Sequence, residues 1–219
     1  MAYPYPVEIG GLHFSSGIIP TIARTSVRSN GRSMSKTGFT DLNLELLYIS
    51  YTNKSKTFGA YIGTDFWVPT GSYRRGRMVN LGYNYYTLAP ALHVTWLPTR
   101  RAELSASFVP EINWKNKATD YRSGNAVTID ASASYRPLPD FQRLQVGLQG
   151  YFHKQVQDDR LNGEAVPGGF RGQSAAIGPQ VKLNLFERGG LLFKWQHEFA
   201  VENRAKGNRL WLQFSMPLN

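Results

Sequence analysis

The sequence predicts an all-β fold, an antiparallel up-and-down β-barrel that spans a membrane with about ten strands, in one domain over residues 1–219. Three observations lead to this prediction. Neighbouring stretches alternate apolar and polar residues, aromatic residues bracket the apolar band, and long and short connections follow each other in strict turn. The first is shared by any half-buried strand, whereas the other two are typical of outer-membrane barrels.

The alternation is clearest from Leu81 to Trp114, where two predicted strands flank a tight turn at residues 98–100. Apolar and aromatic residues occupy the even positions of both strands, and small or polar residues occupy most odd positions. Successive side chains point to opposite faces, so each strand has one apolar and one polar face. Pro90 and Pro110 fall in the apolar phase, where we expect a bulge because proline donates no hydrogen bond to the ladder.

Aromatic residues mark the ends of the apolar band. Tyr86 and Trp96 lie ten residues apart, which at about 3.3 Å per residue and a tilt of about 40° corresponds to about 25 Å along a barrel axis. That is the height of the apolar band of an outer-membrane barrel between its two aromatic girdles. We therefore assign Tyr86, Trp96, Trp114 and Trp195 to the membrane girdles.

The predicted connections alternate between long and short. The long ones cover residues 28–38, 69–80, 115–124, 157–173 and 203–208, and the short ones cover residues 52–55, 98–100, 137–140 and 187–190. Outer-membrane barrels have short periplasmic turns and long external loops, so we expect a Gram-negative outer-membrane location with both termini periplasmic. Ahead of the first long connection, residues 5–27 are predicted to form one long, bent strand.

Composition excludes several other classes. No stretch approaches the run of about 18 apolar residues that a spanning helix needs. The chain has no cysteine, which excludes disulfides and cysteine metal sites. Its first residues lack the features of a signal peptide, so we expect the natural chain to begin earlier. The net charge of +10 comes from basic residues spread over the predicted external loops, which fits lipopolysaccharide phosphates or solvated loops better than nucleic acid.

The polar faces are predicted to line a lumen and to form the path of a solute. The candidate residues are Tyr61, Asp65, Trp67, His93, Glu103, Glu111, Asp130, Arg136, Arg143, Tyr151, Lys182, Lys194, Glu198, Glu202, Arg209 and Trp211. Their charges have both signs, so they either form cross-strand pairs that fill a narrow lumen or line a pore. Aromatic members among them, such as Trp67 and Trp211, offer surface to an apolar solute.

The residues give little support for an enzyme. Some outer-membrane barrels are lipid hydrolases with a serine and a histidine close together on the lipid-facing surface. Here only His197 has the lipid-facing phase, and Ser215 on the next strand is phased inward. A nucleophile and its base must come within about 3 Å, so we expect no catalytic residue. Neither a metal site nor a cofactor site has diagnostic spacing.

Several motifs resemble the outer-membrane channel family of the meta-cleavage phenol-degradation pathway. They are FWVPTGSY (66–73), NLGYNYYTLAPALHVTWLP (80–98), TDYRSG (119–124), GFRGQSAAIGPQV (169–181) and WQHEFAVENRAKGNRLWLQFSMPL (195–218). The resemblance implies a twelve-stranded barrel with an N-terminal segment inside the lumen, and uptake of hydrophobic compounds such as sphingosine. At the start of this chain the signal peptide, the lumen segment and about two strands are expected to be missing.

The sequence therefore predicts a monomeric, passive channel for hydrophobic small molecules, in contact with outer-membrane lipids and lipopolysaccharide. A hydrophilic porin-like pore is the first alternative, because the inward faces carry many charges. A lipid hydrolase that depends on His197 is the second alternative, and a structural or adhesion barrel is the third.

Overall fold

The computed structural model describes residues 2–186 and 189–216, in which all regular structure is β-strand. The strands are β1 (Ala2–Ile9), β2 (Leu12–Ile19), β3 (Ile22–Ser29), β4 (Arg32–Phe39), β5 (Leu42–Thr52), β6 (Phe58–Val68), β7 (Thr87–Trp96), β8 (Ala102–Asn113), β9 (Tyr121–Arg122), β10 (Ala126–Tyr135), β11 (Leu144–Gln155), β12 (Arg160–Leu161), β13 (Glu164–Ala165), β14 (Gln173–Phe186), β15 (Gly189–Glu202) and β16 (Asn208–Ser215). Within these residues, no helix is long and apolar enough to span a bilayer.

Eleven strands form one sheet in the order β1-β2-β5-β6-β7-β8-β10-β11-β14-β15-β16. Each strand pairs antiparallel with the next strand of this sheet along the chain, which is the predicted up-and-down connectivity. The remaining strands form two small sheets, β3-β4 and β13-β12-β9, within the long connections. The sheet thus has one strand more than the ten predicted.

The covered side of this sheet is polar and its exposed side is apolar. In β15, Phe193 and Trp195 are exposed, whereas Gln196 and Glu198 keep only 7% and 4% of their surface exposed. A soluble monomer rarely exposes a continuous apolar surface larger than a few hundred Å². Strands that are polar inside and apolar outside are suited to a wall that faces lipid.

The N-terminal region differs from the single strand predicted over residues 5–27 and the loop predicted over residues 28–38. It forms two hairpins, β1-β2 and β3-β4. Their turns are Gly10-Gly11 and Asn30-Gly31, and all four residues have positive φ. Two consecutive residues with positive φ match the twist of a hairpin, which is why Gly-Gly and Asn-Gly are strong hairpin signals. The prediction for this region was therefore wrong.

Between β5 and β14, connection lengths alternate as predicted, whereas the connection predicted to be long at residues 203–208 covers only residues 203–207 and is as short as that at residues 53–57. The connections at residues 53–57, 97–101 and 136–143 are short, and those at residues 69–86, 114–125 and 156–172 are long. The predicted turn at residues 187–190 lies partly outside the described residues, and its last two residues belong to β15. β7 begins at Thr87, later than predicted, because the amides of Leu81 and Tyr83 donate to Ser72 O and Asp41 rather than to a neighbouring strand.

The directions of the first and last strands follow from the strand count. Neighbouring strands alternate in direction, so β1 and β16, at positions one and eleven, run the same way. The β1-β2 turn lies at the end of the sheet with the short connections, which puts Ala2 at the end with the long ones and Ser215 at the opposite end. Ala2 and Ser215 therefore lie at opposite ends of the sheet, whereas two periplasmic termini would lie at the same end.

The ladder between β7 and β8 is interrupted at two facing prolines. Leu88 pairs with Ile112 and Leu92 pairs with Phe108, and no pairing occurs between these positions. The register is the same on both sides of the gap, so Pro90 lies opposite Pro110 and neither strand has an extra residue. The expected bulge is therefore absent. Because neither of the two facing prolines has an N–H group, the hydrogen-bond ladder between β7 and β8 is interrupted there.

Candidate channel lumen

The inner face of the sheet encloses a cavity of about 700 Å³. Its walls combine strand residues with residues of the long connections, which position Asp41, Tyr83, Tyr85, Ser123 and Arg204 at its border. Both aromatic rings and charged groups line the cavity, because the inward-facing positions of the strands carry both kinds of residue. The cavity can accommodate a small molecule and offers both stacking surfaces and hydrogen-bonding groups.

The most strongly connected part of the wall centres on Glu198 of β15, which is buried. Its carboxylate accepts hydrogen bonds from the Tyr151 hydroxyl, from the Gly207 amide at 2.8 Å, and from Arg209 Nη2 at 2.8 Å. The Arg209 guanidinium also lies 5.1 Å from the centroid of the Tyr151 ring. These contacts join β11, β15 and β16 and hold the Tyr151 ring against the lumen.

A second polar chain runs beside it through uncharged side chains. The Trp211 indole donates to Gln196 Oε1 at 3.1 Å, and Gln196 Nε2 donates to Gln149 Oε1 at 2.7 Å. Gln149 Nε2 in turn donates to the Trp195 carbonyl at 3.1 Å. Pro179 of β14 lies opposite Trp195 in the strand register and has no N–H group. The Gln149 amide therefore supplies the donor that the proline lacks.

Near the long connections, His153 links the wall to the loop between β15 and β16. Its Nδ1 lies 2.9 Å from Thr128 Oγ1 and 3.8 Å from Glu111 Oε1. Arg204 Nη1 of that loop lies 2.6 Å from His153 Nε2. The loop is thus held across the rim of the cavity.

The β5-β6-β7 side of the lumen is aromatic. The Tyr61 and His93 rings stack with centroids 4.1 Å apart, and the Tyr48 ring lies 5.6 Å from that of Tyr61. The Tyr48 hydroxyl donates to Asp65 at 2.9 Å. This side offers flat surfaces rather than a charged network.

The structure brings many members of the predicted path together. Cavity-lining members are Trp67, Glu111, Asp130, Tyr151, Lys194, Arg209 and Trp211 in the larger cavity, and Glu103, Lys182 and Lys194 in a smaller one. Arg136 lies 3.9 Å from Glu103 at the end with the short connections. Arg143 and Glu202 are exposed at strand ends and line neither cavity. That solute touches these residues stays a prediction.

Three of the four proposed girdle residues lie at strand ends. Tyr86 precedes β7, Trp96 ends β7 and Trp114 follows β8. Phe66 stacks on Tyr86 with centroids 5.5 Å apart and meets the edge of Trp114. Trp195 differs because it lies near the middle of β15.

Hydrogen bonds to Asp159 and Asp41 hold the long connections at the border of the cavity, and the sequence analysis did not predict them. We call these connected loops the cover. Asp159 accepts hydrogen bonds from the Tyr121 hydroxyl, from the Gly124 amide at 2.8 Å and from Gln155 Nε2 at 2.6 Å. Burial and the Asp159 carboxylate raise the pKa of Tyr121, and burial raises the pKa of Tyr85. Isolated polar residues in loops have no periodicity, so no sequence signal could pair them.

Asp41 organises the other half of this cover. Its carboxylate accepts the Gly71 amide at 2.9 Å and the Tyr83 amide at 2.8 Å. A Cβ added at Gly82 would lie 2.4 Å from Asp41 Oδ1, so this close approach requires glycine. These hydrogen bonds therefore fix the loop between β6 and β7 to the connection between β4 and β5.

The hydrolase alternative gains no support from the placement of His197. The ring is exposed on the outer face, and its Nδ1 lies 3.0 Å from Asn208 Oδ1. Ser215 pairs with Gly190, far along β15 from His197. Among the residues that the structure describes, no group of three metal-ligating side chains is close enough to hold a metal ion.

Comparisons with known proteins agree with this architecture. A family model described as the MetA-pathway of phenol degradation matches residues 3–214. The crystal structure of an outer membrane channel from Pseudomonas putida F1 matches with a TM-score of 0.79 at 13% identity, over 97% of this chain and 78% of that chain. No protein of curated function matches the sequence. The structural likeness shows the fold, that of an antiparallel outer-membrane β-barrel.

Proposed function

We propose that this chain, which belongs to the MetA-pathway of phenol degradation family, is an outer-membrane channel for passive uptake of hydrophobic small molecules. The observation that carries the proposal is the interruption of the ladder at Pro90 and Pro110 in the lipid-facing wall. A backbone gap in a transmembrane wall leaves polar groups unpaired in an apolar medium, which costs free energy. Such a gap offers a place in the wall where an apolar solute can bind or pass.

The two faces of the wall support a sideways route. On the outer side, a groove of about 460 Å³ borders the gap and is lined almost entirely by apolar residues, among them Leu92, Phe108 and both prolines. On the inner side, the neighbouring residues Ala89 and Ala91 are small. An apolar solute would enter the lumen, bind against aromatic rings such as Trp67 and Trp211, and leave towards lipid beside Pro90.

A hydrophilic pore is the second candidate, because Glu111, Lys194 and Arg209 line the lumen. The cover over the cavity argues against it. Asp41 holds the loop between β6 and β7, Asp159 joins the connections at residues 114–125 and 156–172, and Arg204 reaches across the rim to His153. A hydrated solute needs an open aqueous path, whereas an apolar solute needs only a site and a lateral opening.

The β3-β4 hairpin is the proposed contact with lipopolysaccharide. Among the described strands it pairs only with itself, and it carries four cations and no acidic residue between Ile22 and Phe39. Arg24, Arg28 and Arg32 make no ion pair with any described residue, so they are available to phosphate groups. We propose that the protein acts in the outer membrane as a single copy surrounded by such lipids.

Permeation in liposomes tests the proposal. A long-chain apolar tracer and a small sugar are compared at equal loading of purified protein. We expect the tracer to cross and the sugar to be retained. Free passage of the sugar would instead support the hydrophilic pore. If neither solute crosses faster than in protein-free liposomes, the channel proposal fails and an adhesion or structural role is favoured.

A further inference from the structure

A smaller cavity of about 260 Å³ lies at the end of the lumen that carries the short connections. Leu192, Lys194 and Gln213 border both cavities, so the two are neighbours in one lumen. Gln145, the second residue of β11, lines the smaller cavity beside its cross-strand neighbour Lys182. Ser215, the last residue of β16, closes it on the other side.

Gln145 is buried but has no partner. Its exposed fraction is 1%, and neither Oε1 nor Nε2 makes a hydrogen bond with residues 2–186 or 189–216. A buried polar group without a partner costs about 1–3 kcal/mol, so buried amides are nearly always hydrogen-bonded. An amide that borders a cavity and lacks partners indicates a polar group that comes from outside the chain.

The charges around the cavity indicate the sign of that group. Lys182 and Lys194 line it, and neither ammonium forms an ion pair or hydrogen bond within the described part of the chain. Glu103 is the acidic residue of the lining, and its carboxylate already lies 3.9 Å from Arg136 Nη2. Cations therefore outnumber carboxylates, which favours an anion.

We propose that this cavity binds the carboxylate of a small organic acid. The Gln145 N–H and the ammonium groups of Lys182 and Lys194 would donate to its oxygens through charge-assisted hydrogen bonds. Leu192, in the inward phase of β15, borders the same space and would contact an apolar body attached to the carboxylate. The site lies in the lumen of the proposed channel, but binding to it can be measured without transport.

Calorimetric titration of the purified, folded protein in a neutral detergent tests the assignment, with benzoate and its neutral counterpart benzyl alcohol as probes. We expect saturable binding of benzoate and much weaker binding of benzyl alcohol. Lys182→Gln with Lys194→Gln should weaken benzoate binding at least about tenfold, since two charge-assisted bonds are lost. Lys154→Gln, on an exposed strand position, should leave it unchanged.

Glu103→Gln provides a test of opposite sign that remains valid if the double lysine variant fails to fold. Removal of this carboxylate leaves the cavity more positive, so benzoate should bind more tightly. The assignment is wrong if Glu103→Gln weakens binding, if benzyl alcohol binds as well as benzoate, or if equimolar inorganic phosphate displaces benzoate. These outcomes are independent of the liposome experiment, because none of them depends on passage of a solute.

Discussion

Two interruptions of the barrel wall, both caused by proline, are completed in different ways. At Pro179, the missing N–H leaves the Trp195 carbonyl without a backbone donor, and the Gln149 side chain supplies one at 3.1 Å. At Pro90 and Pro110, two prolines face each other, and within the described residues no side chain donates to the open backbone. One interruption is sealed from the lumen side and the other remains open.

The surroundings of the two interruptions explain the difference. The sealed one lies among β11, β14 and β15, where glutamines point inward and can reach the backbone of a neighbouring strand. Around the open one, the inward positions of β7 are Ala89 and Ala91, which have no polar group, and Glu111 on β8 offers a carboxylate, which accepts hydrogen bonds but donates none. The ladder of this wall is therefore completed where an inward side chain can donate a hydrogen bond, as Gln149 does, and stays interrupted where no inward side chain donates.

Removing the seal is expected to have the largest effect. Gln149→Leu leaves the Trp195 carbonyl and the Gln196 amide without partners in a buried site, which should lower the free energy of unfolding by about 2–3 kcal/mol. Thermal unfolding followed by circular dichroism measures this loss. Adding Pro179→Val to Gln149→Leu restores a backbone donor and should recover part of it. Equal stability of Gln149→Leu and the parent would contradict the sealing role.

Closing the open interruption is expected to reduce uptake. Pro90→Val with Pro110→Val provides two backbone donors, and about 1 kcal/mol for each new hydrogen bond would shift the wall towards the closed state by tenfold or more. Apolar-tracer uptake in liposomes should fall accordingly. Pro179→Val in the otherwise unchanged protein is the matched control and should take up tracer normally. Unchanged uptake in the double variant would exclude the sideways route.

Truncation of lumen aromatics tests whether the path connects to the open interruption. Alanine in place of Tyr61, Trp67, Tyr151 or Trp211 removes a stacking surface, so tracer uptake should slow several-fold while the barrel remains folded. Heat-modifiable migration in gel electrophoresis reports folding, and Phe193→Ala on the outer face is the control. Normal uptake in all four variants would show that solute does not use this surface.

The smallest expected effect concerns the cover. Tyr121→Phe removes the hydrogen bond to Asp159 and should cost about 1 kcal/mol. The folded-state pKa of Tyr121 is raised, so the unfolded chain ionises first above pH of about 10, and stability falls as pH rises from there. Denaturant titrations between neutral and alkaline pH should show a shallower alkaline loss in Tyr121→Phe. An identical pH profile in the two proteins would contradict this contact.

Sequence patterns predicted the wall well, because alternation with a period of two directly reports which side chains face lipid. Leu191, Phe193 and Trp195 are exposed where the apolar phase predicts, and Lys194 lines the lumen where the polar phase predicts. The prediction of one strand over residues 5–27 fails because Gly10-Gly11 is a hairpin turn, whereas the sequence pattern fits a break within one strand equally well.

Register and loop contacts could not be predicted in the same way. Pro90 and Pro110 are visible in the sequence, but that they face each other depends on how β7 and β8 pair. Asp159 lies far along the chain from its partners Tyr121 and Gly124, and no local pattern links them. Gln149 and Gln145 fall in the inward phase but carry no charge, so the sequence alone does not distinguish them from other polar lumen residues.

With the proposed external orientation of the long connections, the self-paired β3-β4 hairpin makes this protein a candidate carrier for foreign peptides on a bacterial surface. Within the described residues its two strands pair only with each other, and its tip is the tight Asn30-Gly31 turn. Exposed turns outside a packed sheet tolerate insertions because no buried hydrogen bond depends on them. A short epitope inserted there would lengthen the hairpin and leave the eleven-stranded wall intact.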